Sequence, residues 1–323
     1  MTTRLIPAAI AVAAVLALAG CGTTEASAGS SSSSGALTVT DSRGEKVKLD
    51  GPAKRVIGTE WGVVETMITL GVDPVGVADV KGYTAYDTAA PLPKGVKDIG
   101  TRGEPSLDTV AALKPDLIVA TTDLTDSAIA QLEKVAPVIV VRSADASKQI
   151  DQMVDNVNLI AEATGTEAKA KTEIAGFEKT LSEAKTKLAD AGLAGTKLAF
   201  ADGWQEGNQV SVRPYVKGSL IADINTELGL VDPWDLEGDK AYGLASTDVE
   251  GLTKIGDAHF AYIANSSDGG DPFAEGLKDN AVWTSLPFVQ KGEVYRLPDG
   301  IWMFGGTASM EQYIAAIVKS LTN

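Results

Sequence analysis

The chain is 323 residues long, carries 28 basic against 43 acidic side chains for a formal net charge of −15, and has one cysteine and one histidine. So acidic a balance excludes a nucleic-acid partner and direct adsorption to anionic lipid, and a single cysteine excludes an internal disulfide. One histidine also argues against a resident zinc or manganese centre, which would gather several imidazoles.

In chain order, Arg4 precedes an apolar run over residues 5–18, which ends in Leu18-Ala19-Gly20-Cys21. A run of about fourteen residues is too short to span a bilayer comfortably and has the length of a signal-peptide apolar region. The small residues before Cys21 resemble the lipobox of bacterial lipoproteins. That resemblance implies a signal peptide over 1–20 and lipidation of Cys21; a plain secretory signal with a chance cysteine is the alternative. Residues 21–35, mostly Ser, Gly, Thr and Ala, have almost nothing to bury and read as a flexible tether.

Residues 37–40 and 46–49 alternate around Asp41-Ser-Arg-Gly44 and predict a β-hairpin. Short apolar runs at 55–58, 74–77, 117–120 and 137–141 then predict strands, separated by helical patterns at 63–70, 107–113 and 129–135. A further helix over 149–164 closes a first lobe, 36–165. Such alternation predicts an α/β fold with a mostly parallel central sheet and helices on both faces. Residues 166–190 contain no proline and place Ile174, Phe177, Leu181, Ala184 and Leu188 on one helical face. Thr166 is the expected N-cap and Gly192 lies just past the end. A helix of about 24 residues is roughly 36 Å long, enough to join two lobes as a linker over 166–191; a surface helix of the second lobe is the alternative. Strands at 197–201, 260–264 and 294–297, with helices at 220–228 and 309–321, build a second α/β lobe, 192–323. His259, on an apolar strand, reads as a core residue.

Ligands of α/β sheets gather on loops at the C-terminal ends of strands. That rule nominates Trp61 and Arg102 in the first lobe and Trp204, Arg213 and Tyr215 in the second. Tyr83 and Tyr86 lie in the polar segment after Val77 and are expected at the rim of the cleft. The chain has no GxSxG elbow, P-loop or dinucleotide glycine fingerprint. An enzyme would therefore have to be carboxylate-dependent, and a binding role is the stronger expectation.

Two stretches carry a closer likeness. One is Gly100-Thr-Arg102-Gly-Glu104-Pro105-Ser-Leu107-Asp108, running into Leu113-Lys-Pro-Asp116. The other is Trp283-Thr-Ser-Leu-Pro287-Phe288, followed by Leu297-Pro298 and Trp302-Met-Phe304-Gly305. Both resemble the iron-siderophore binding proteins of ABC importers, and within them the ferric-hydroxamate branch, over essentially the whole mature chain. The resemblance implies two α/β lobes joined by one long rigid helix, with ligand in the cleft between them and only modest closure. It implies that Arg102 faces the iron-bound oxygens, and that Tyr242, Trp302 and Phe304 occupy aromatic cleft positions. Asp108 and Glu250, one per lobe, match the acids that dock onto permease arginines. Two departures stand out: Phe304 replaces a tyrosine, and the loop over 122–126 lacks an aromatic that some relatives carry.

The resemblance implies no intrinsic cofactor and no metal ligand from the protein, because iron arrives six-coordinate in its siderophore. The implied partners are the ferric siderophore, an ABC permease with its ATPase subunits, and the membrane only through the lipid anchor on the extracytoplasmic face, the chain acting as a monomer. Cobalamin or haem is the rival cargo. A ferric tris-catecholate carries about three negative charges and would favour a cluster of cations; with Arg102 and Arg213 alone, the cleft suits a neutral or singly cationic hydroxamate better.

Overall fold

Runs of Val, Ile and Leu too short for helices become the strands of two sheets in the computed structural model, which describes residues 35–323 apart from 208. The signal segment, Cys21 and nearly all of the tether lie outside the described residues. The expected hairpin is present as β1 (Leu37–Thr40) and β2 (Lys46–Leu49), antiparallel.

The first sheet contains β3 (Val56–Gly58), β4 (Gly76–Val77), β5 (Lys97–Asp98), β6 (Leu117–Thr121) and β7 (Val138–Val141) in the order β5-β4-β3-β6-β7, all parallel. Every residue of β3, β6 and β7 is buried, the continuous apolar pattern that a sheet covered on both faces requires. Its helices are α1 (Trp61–Thr69), α2 (Val80–Tyr86), α3 (Leu107–Leu113), α4 (Asp126–Leu132) and α5 (Gln149–Thr164). One face packs Val56, Val119 and Ile139 against Val63 and Met67 of α1; the other packs Ile57, Ile118 and Val140 against Val110 of α3 and Ile129 of α4. Ser106 and Thr125 cap α3 and α4 by accepting backbone N–H bonds in the first turn.

The long helix α6 (Glu167–Asp190) has 24 residues. Its first turns give Ala170 and Ile174 to the core under the first sheet, and Phe177, Ala184 and Leu188 to the core under the second. Thr166 does not cap it through its side chain; the hydroxyl lies 2.9 Å from that of Thr164 instead.

The second sheet holds β8 (Leu198–Glu206), β9 (Gln209–Pro214), β10 (His259–Tyr262) and β11 (Val294–Arg296) in the order β11-β10-β8-β9. β10 is parallel to both its neighbours, while β9 runs antiparallel to β8 and is paired from Ala201–Pro214 to Glu206–Gln209. Around it lie α7 (Leu220–Glu227), α8 (Ala281–Ser285), α9 (Pro287–Gln290) and α10 (Thr307–Thr322). His259 is half-buried rather than core: its ring stacks on Tyr295, with Nδ1 3.0 Å from the tyrosine hydroxyl. Among the described residues no helix is long and apolar enough to cross a membrane.

Candidate ligand-binding cleft

The segments that follow β3, β5, β6, β7, β10 and β11, with the outer half of β8 and the end of β9, converge on one cavity of about 620 Å³ between the sheets. Its floor is a chain of aromatic rings that crosses from one lobe to the other. Tyr86 stacks on Trp61 at 5.5 Å, Trp61 meets Trp302 edge-on at 4.7 Å, and Trp302 meets Phe304 at 5.1 Å. Phe304 in turn touches Tyr242 at 5.4 Å and Tyr215 at 5.8 Å. Rings arranged this way offer wide, stiff apolar area. Trp61 is held in place by its indole N–H, which donates to the Ala78 carbonyl at 3.2 Å. The indole N–H of Trp302 is buried and has no acceptor among the described residues.

Two arginines lie over this floor, each with a carboxylate beside it. The Arg102 guanidinium sits 3.9 Å from the Trp61 ring centre and 5.4 Å from that of Trp302, and donates to Glu60 at 2.9 Å. Burial raises the pKa of Glu60, and the Arg102 charge opposes that rise. In the other lobe Arg213 donates through Nε to Asp202 Oδ1 at 2.8 Å and through Nη2 to the second carboxylate oxygen. It lies 5.7 Å from the centre of the Phe304 ring. Burial works against the Arg213 charge, but Tyr215 and Asp202 outweigh it and hold its pKa above the ordinary value. The Tyr215 hydroxyl donates at 3.0 Å to the same Asp202 oxygen that Arg213 Nη2 engages, which fixes the carboxylate further.

Two tyrosines reach across the cleft. Tyr242, from the second lobe, donates to Asp123 Oδ2 at 2.5 Å, and Tyr86, from α2, donates to Asp268. Burial and the Asp268 carboxylate push the Tyr86 hydroxyl up to about 12. The same edge is tied by Asn265 Nδ2 to the Ala85 carbonyl at 2.7 Å and by the backbone N–H of Thr88 to the Gly300 carbonyl at 2.9 Å. Tyr242 is presented by a sharp turn in which Gly243 has φ +64°; a Cβ there would fall 2.2 Å from the backbone of Gly218 and Ser219. Gln149, at the start of α5, bridges to the Gly218 and Ala241 carbonyls at 2.7 Å each.

Helix α1 also anchors the segment carrying Trp302 and Phe304. Gly62 permits the contact, since a side chain there would come within 2.7 Å of the Phe304 carbonyl oxygen. Fully buried Glu65 accepts from the backbone N–H groups of Gly306 and Ser309, both at 2.9 Å, and from the Ser309 hydroxyl at 2.7 Å. It thereby fills the donor-rich N-terminus of α10 with a carboxyl from the other lobe. Asp87 lies against it: burial and then Glu65 push the Asp87 carboxyl up to about 9, and burial also raises Glu65.

Of the residues nominated from sequence, Trp61, Tyr86, Arg102, Trp204, Arg213, Tyr215, Tyr242, Trp302 and Phe304 all line the cavity. Trp61 and Tyr215 present little surface, being 4% and 2% exposed. Tyr83 is a correction. It lies in α2 rather than in a polar loop, is fully buried in the first core, and donates its hydroxyl to the Ala90 carbonyl at 2.6 Å. Asp79, in the left-handed region at φ 53°, caps that helix and turns Tyr83 inward while Tyr86 faces the cleft. Asp108 is exposed in the first turn of α3, and Glu250 is exposed at the start of a 3₁₀ turn, Gly251–Ile255. Sequence reasoning missed Glu60, Asp123, Asp202, Gln149 and Asp268. The strand-end rule, applied to β6 and β10 as strictly as to β3, points at Asp123 and at the segment leading to Asp268. Among the described residues no cluster of three or more His, Cys, Asp or Glu side chains is placed to hold a metal ion.

Strand-end loops from two α/β lobes around an aromatic-floored cleft define a two-lobed binding protein. The chain belongs to the periplasmic binding protein family, whose pattern matches residues 56–300. It is 32% identical to the iron(3+)-hydroxamate-binding protein FhuD of Bacillus subtilis (strain 168), over 99% of this chain and 98% of that one. It is 28% identical to the Fe(3+)-citrate-binding protein YfmC of the same organism, over 86% and 84%. Among solved structures it resembles the siderophore-binding protein FhuD from Vibrio cholerae with bound Fe3+-Desferal, with a TM-score of 0.74 and 26% identity over 83% of this chain and 98% of that one. These relatives are binding proteins by name, and others are named as lipoproteins of the same kind.

Proposed function

We propose that this chain is the extracytoplasmic substrate-binding component of an ABC importer, capturing a ferric siderophore of the hydroxamate type and delivering it for iron uptake. The observation that carries the reading is the floor of the cleft, where Arg102 lies 3.9 Å over Trp61 and beside Trp302. A ferric tris-hydroxamate has a polar iron–oxygen centre wrapped in methylene arms. The guanidinium offers fixed N–H donors to the hydroxamate oxygens, and the rings take the arms. Iron enters already coordinated, so the protein supplies orientation and exclusion of water and no metal ligand. Residues 36–165 and 192–323 act as the two lobes, and 166–191 as the stiff connection that limits closure. Asp108 and Glu250, one on each lobe, engage basic groups of the permease. Lipidation of Cys21 holds the protein at the outer face of the membrane, with 21–35 as its tether.

The test is a tryptophan-fluorescence titration of the chain from Gly22 onward, which contains the whole compact unit, with ferric hydroxamates, a ferric catecholate, ferric citrate and cobalamin. Saturable quenching by a hydroxamate at micromolar or lower concentration supports the proposal. A response confined to catecholate, citrate or cobalamin overturns the cargo, and no response to any of them overturns the binding role.

A further inference from the structure

The cleft holds more acid than base, and the surplus sits at its rim. The charged side chains lining it are Arg102 and Arg213 against Glu60, Asp123, Asp202 and Asp268. Both arginines are paired, with Glu60 and with Asp202. Asp123 and Asp268 are left over: among the described residues neither is in an ion pair, and each instead accepts a tyrosine hydroxyl from the opposite lobe. The arginines on neighbouring segments are engaged elsewhere, Arg142 with Asp145 and Arg296 with Asp271 and Asp299. At the floor the unmet group has the opposite polarity, the buried indole N–H of Trp302 beside Arg102. The cleft therefore presents the Arg102 guanidinium at its centre and unbalanced negative charge at two points on its margin.

Resting on the reading of the cargo given above, we propose that the cleft selects its ferric chelate by charge. A hydroxamate complex carrying a pendant ammonium is preferred over its neutral or anionic analogues, and Asp123 and Asp268 read that charge. The iron–oxygen core is neutral in a tris-hydroxamate and lies against Arg102 and the Trp302 indole. A cationic arm extending outward meets a rim carboxylate that a tyrosine already orients, so little reorganisation is needed on arrival. Anionic chelates meet the same two carboxylates as repulsion, and the two arginines cannot compensate without leaving Glu60 and Asp202.

The experiment uses one linear ferric trihydroxamate in three forms, with its terminal amine free, acetylated or succinylated, giving a cationic, a neutral and an anionic ligand of nearly equal shape. Each is titrated by fluorescence against the chain from Gly22 onward. An exposed ion pair changes an affinity by up to about fivefold. Two rim carboxylates and a two-charge difference in ligand therefore give an expected cationic-to-anionic preference of about tenfold or more at low salt, shrinking as salt is raised. Asp123→Asn combined with Asp268→Asn keeps an acceptor for each tyrosine, removes the charge, and is expected to collapse the preference to about twofold or less. Tyr86→Phe combined with Tyr242→Phe removes the hydroxyls, leaves the charge, and is expected to retain the preference. Equal affinity for the three ligands overturns the charge reading while leaving the hydroxamate assignment intact. A preference that survives the double asparagine variant overturns the role of these two residues. Failure of all three ligands to bind overturns the cargo itself.

Discussion

Replacing Arg102 by alanine separates binding from folding at one position. In the free protein the guanidinium touches Trp61 and Glu60, and its side chain is 37% exposed. An ion pair so open to solvent contributes at most about 1 kcal/mol, and the contact with the ring adds about 0.5–1 kcal/mol. Glu60 loses its counter-charge but, with burial already raising its pKa, takes up a proton more readily instead of remaining as a stranded anion. The net loss of stability is therefore about 1 kcal/mol, a drop of roughly 2–4 °C in a domain of this size. Binding should suffer far more. A hydrogen bond to a charged group is worth about 1.5–3 kcal/mol, which weakens affinity roughly ten- to hundredfold. Thermal melting and fluorescence titration on the same sample read the two effects separately. Arg102→Lys keeps the charge but not the planar fork or the stacking, and its affinity should fall between the wild type and the alanine variant. Affinity within twofold of wild type in Arg102→Ala, with the melting point unchanged, would refute the floor as the ligand's seat.

Tyr83→Phe is expected to cost about 1 kcal/mol of stability through the lost hydroxyl bond to Ala90 while leaving ligand affinity as it was; a variant that melts normally and binds poorly would return Tyr83 to the site. The Asp87 carboxyl, raised from 3.8 to about 9, is favoured in its protonated form by the fold. Its contribution is complete below about pH 4 and is lost progressively as pH rises to about 9, so wild type should lose more melting temperature between pH 5 and pH 9 than Asp87→Asn does. Parallel pH profiles for the two would sink that account. Asp108→Ala combined with Glu250→Ala should leave chelate binding intact and reduce iron uptake in cells; normal uptake would remove both residues from the permease contact.

The parallel strands were legible because full burial forces an apolar run, unbroken in β7 and interrupted in β6 only by its last residue, Thr121. Strand β9 was missed although Gln209-Val-Ser-Val-Arg alternates strictly, with Val210 and Val212 buried between more open neighbours. Helix α2 was missed for a different reason. It is seven residues long and depends on the Asp79 cap, so its three-residue spacing between Tyr83 and Tyr86 carries no periodicity to read. Trp61, Arg102, Trp204, Arg213 and Tyr215 could be nominated because ligands gather at strand ends, whereas Tyr242, Trp302 and Phe304 were reached through the motifs they share with a known family. The strand-end rule reaches Asp123 and the segment of Asp268 but not their role, because their partners lie on the other lobe: Tyr242 and Asp123 are 119 positions apart, and Tyr86 and Asp268 are 182.

Helix α1 supplies Trp61 at its first residue and, through Glu65 at its middle, holds the segment bearing Trp302 and Phe304. A substitution that shifts this helix disturbs both sides of the floor and strands a buried carboxyl as well, so such changes would be purged by selection whatever they did for the ligand. Asp123 is exposed on a loop and Asp268 at the end of a short 3₁₀ turn, Ser266–Asp268, and Trp204 is 43% exposed on the extended hairpin. Little packing depends on them, and they are free to vary. Lineages built on this frame would therefore diversify at the margin and stay conservative at the floor, acquiring new cargo without rebuilding the platform that holds it.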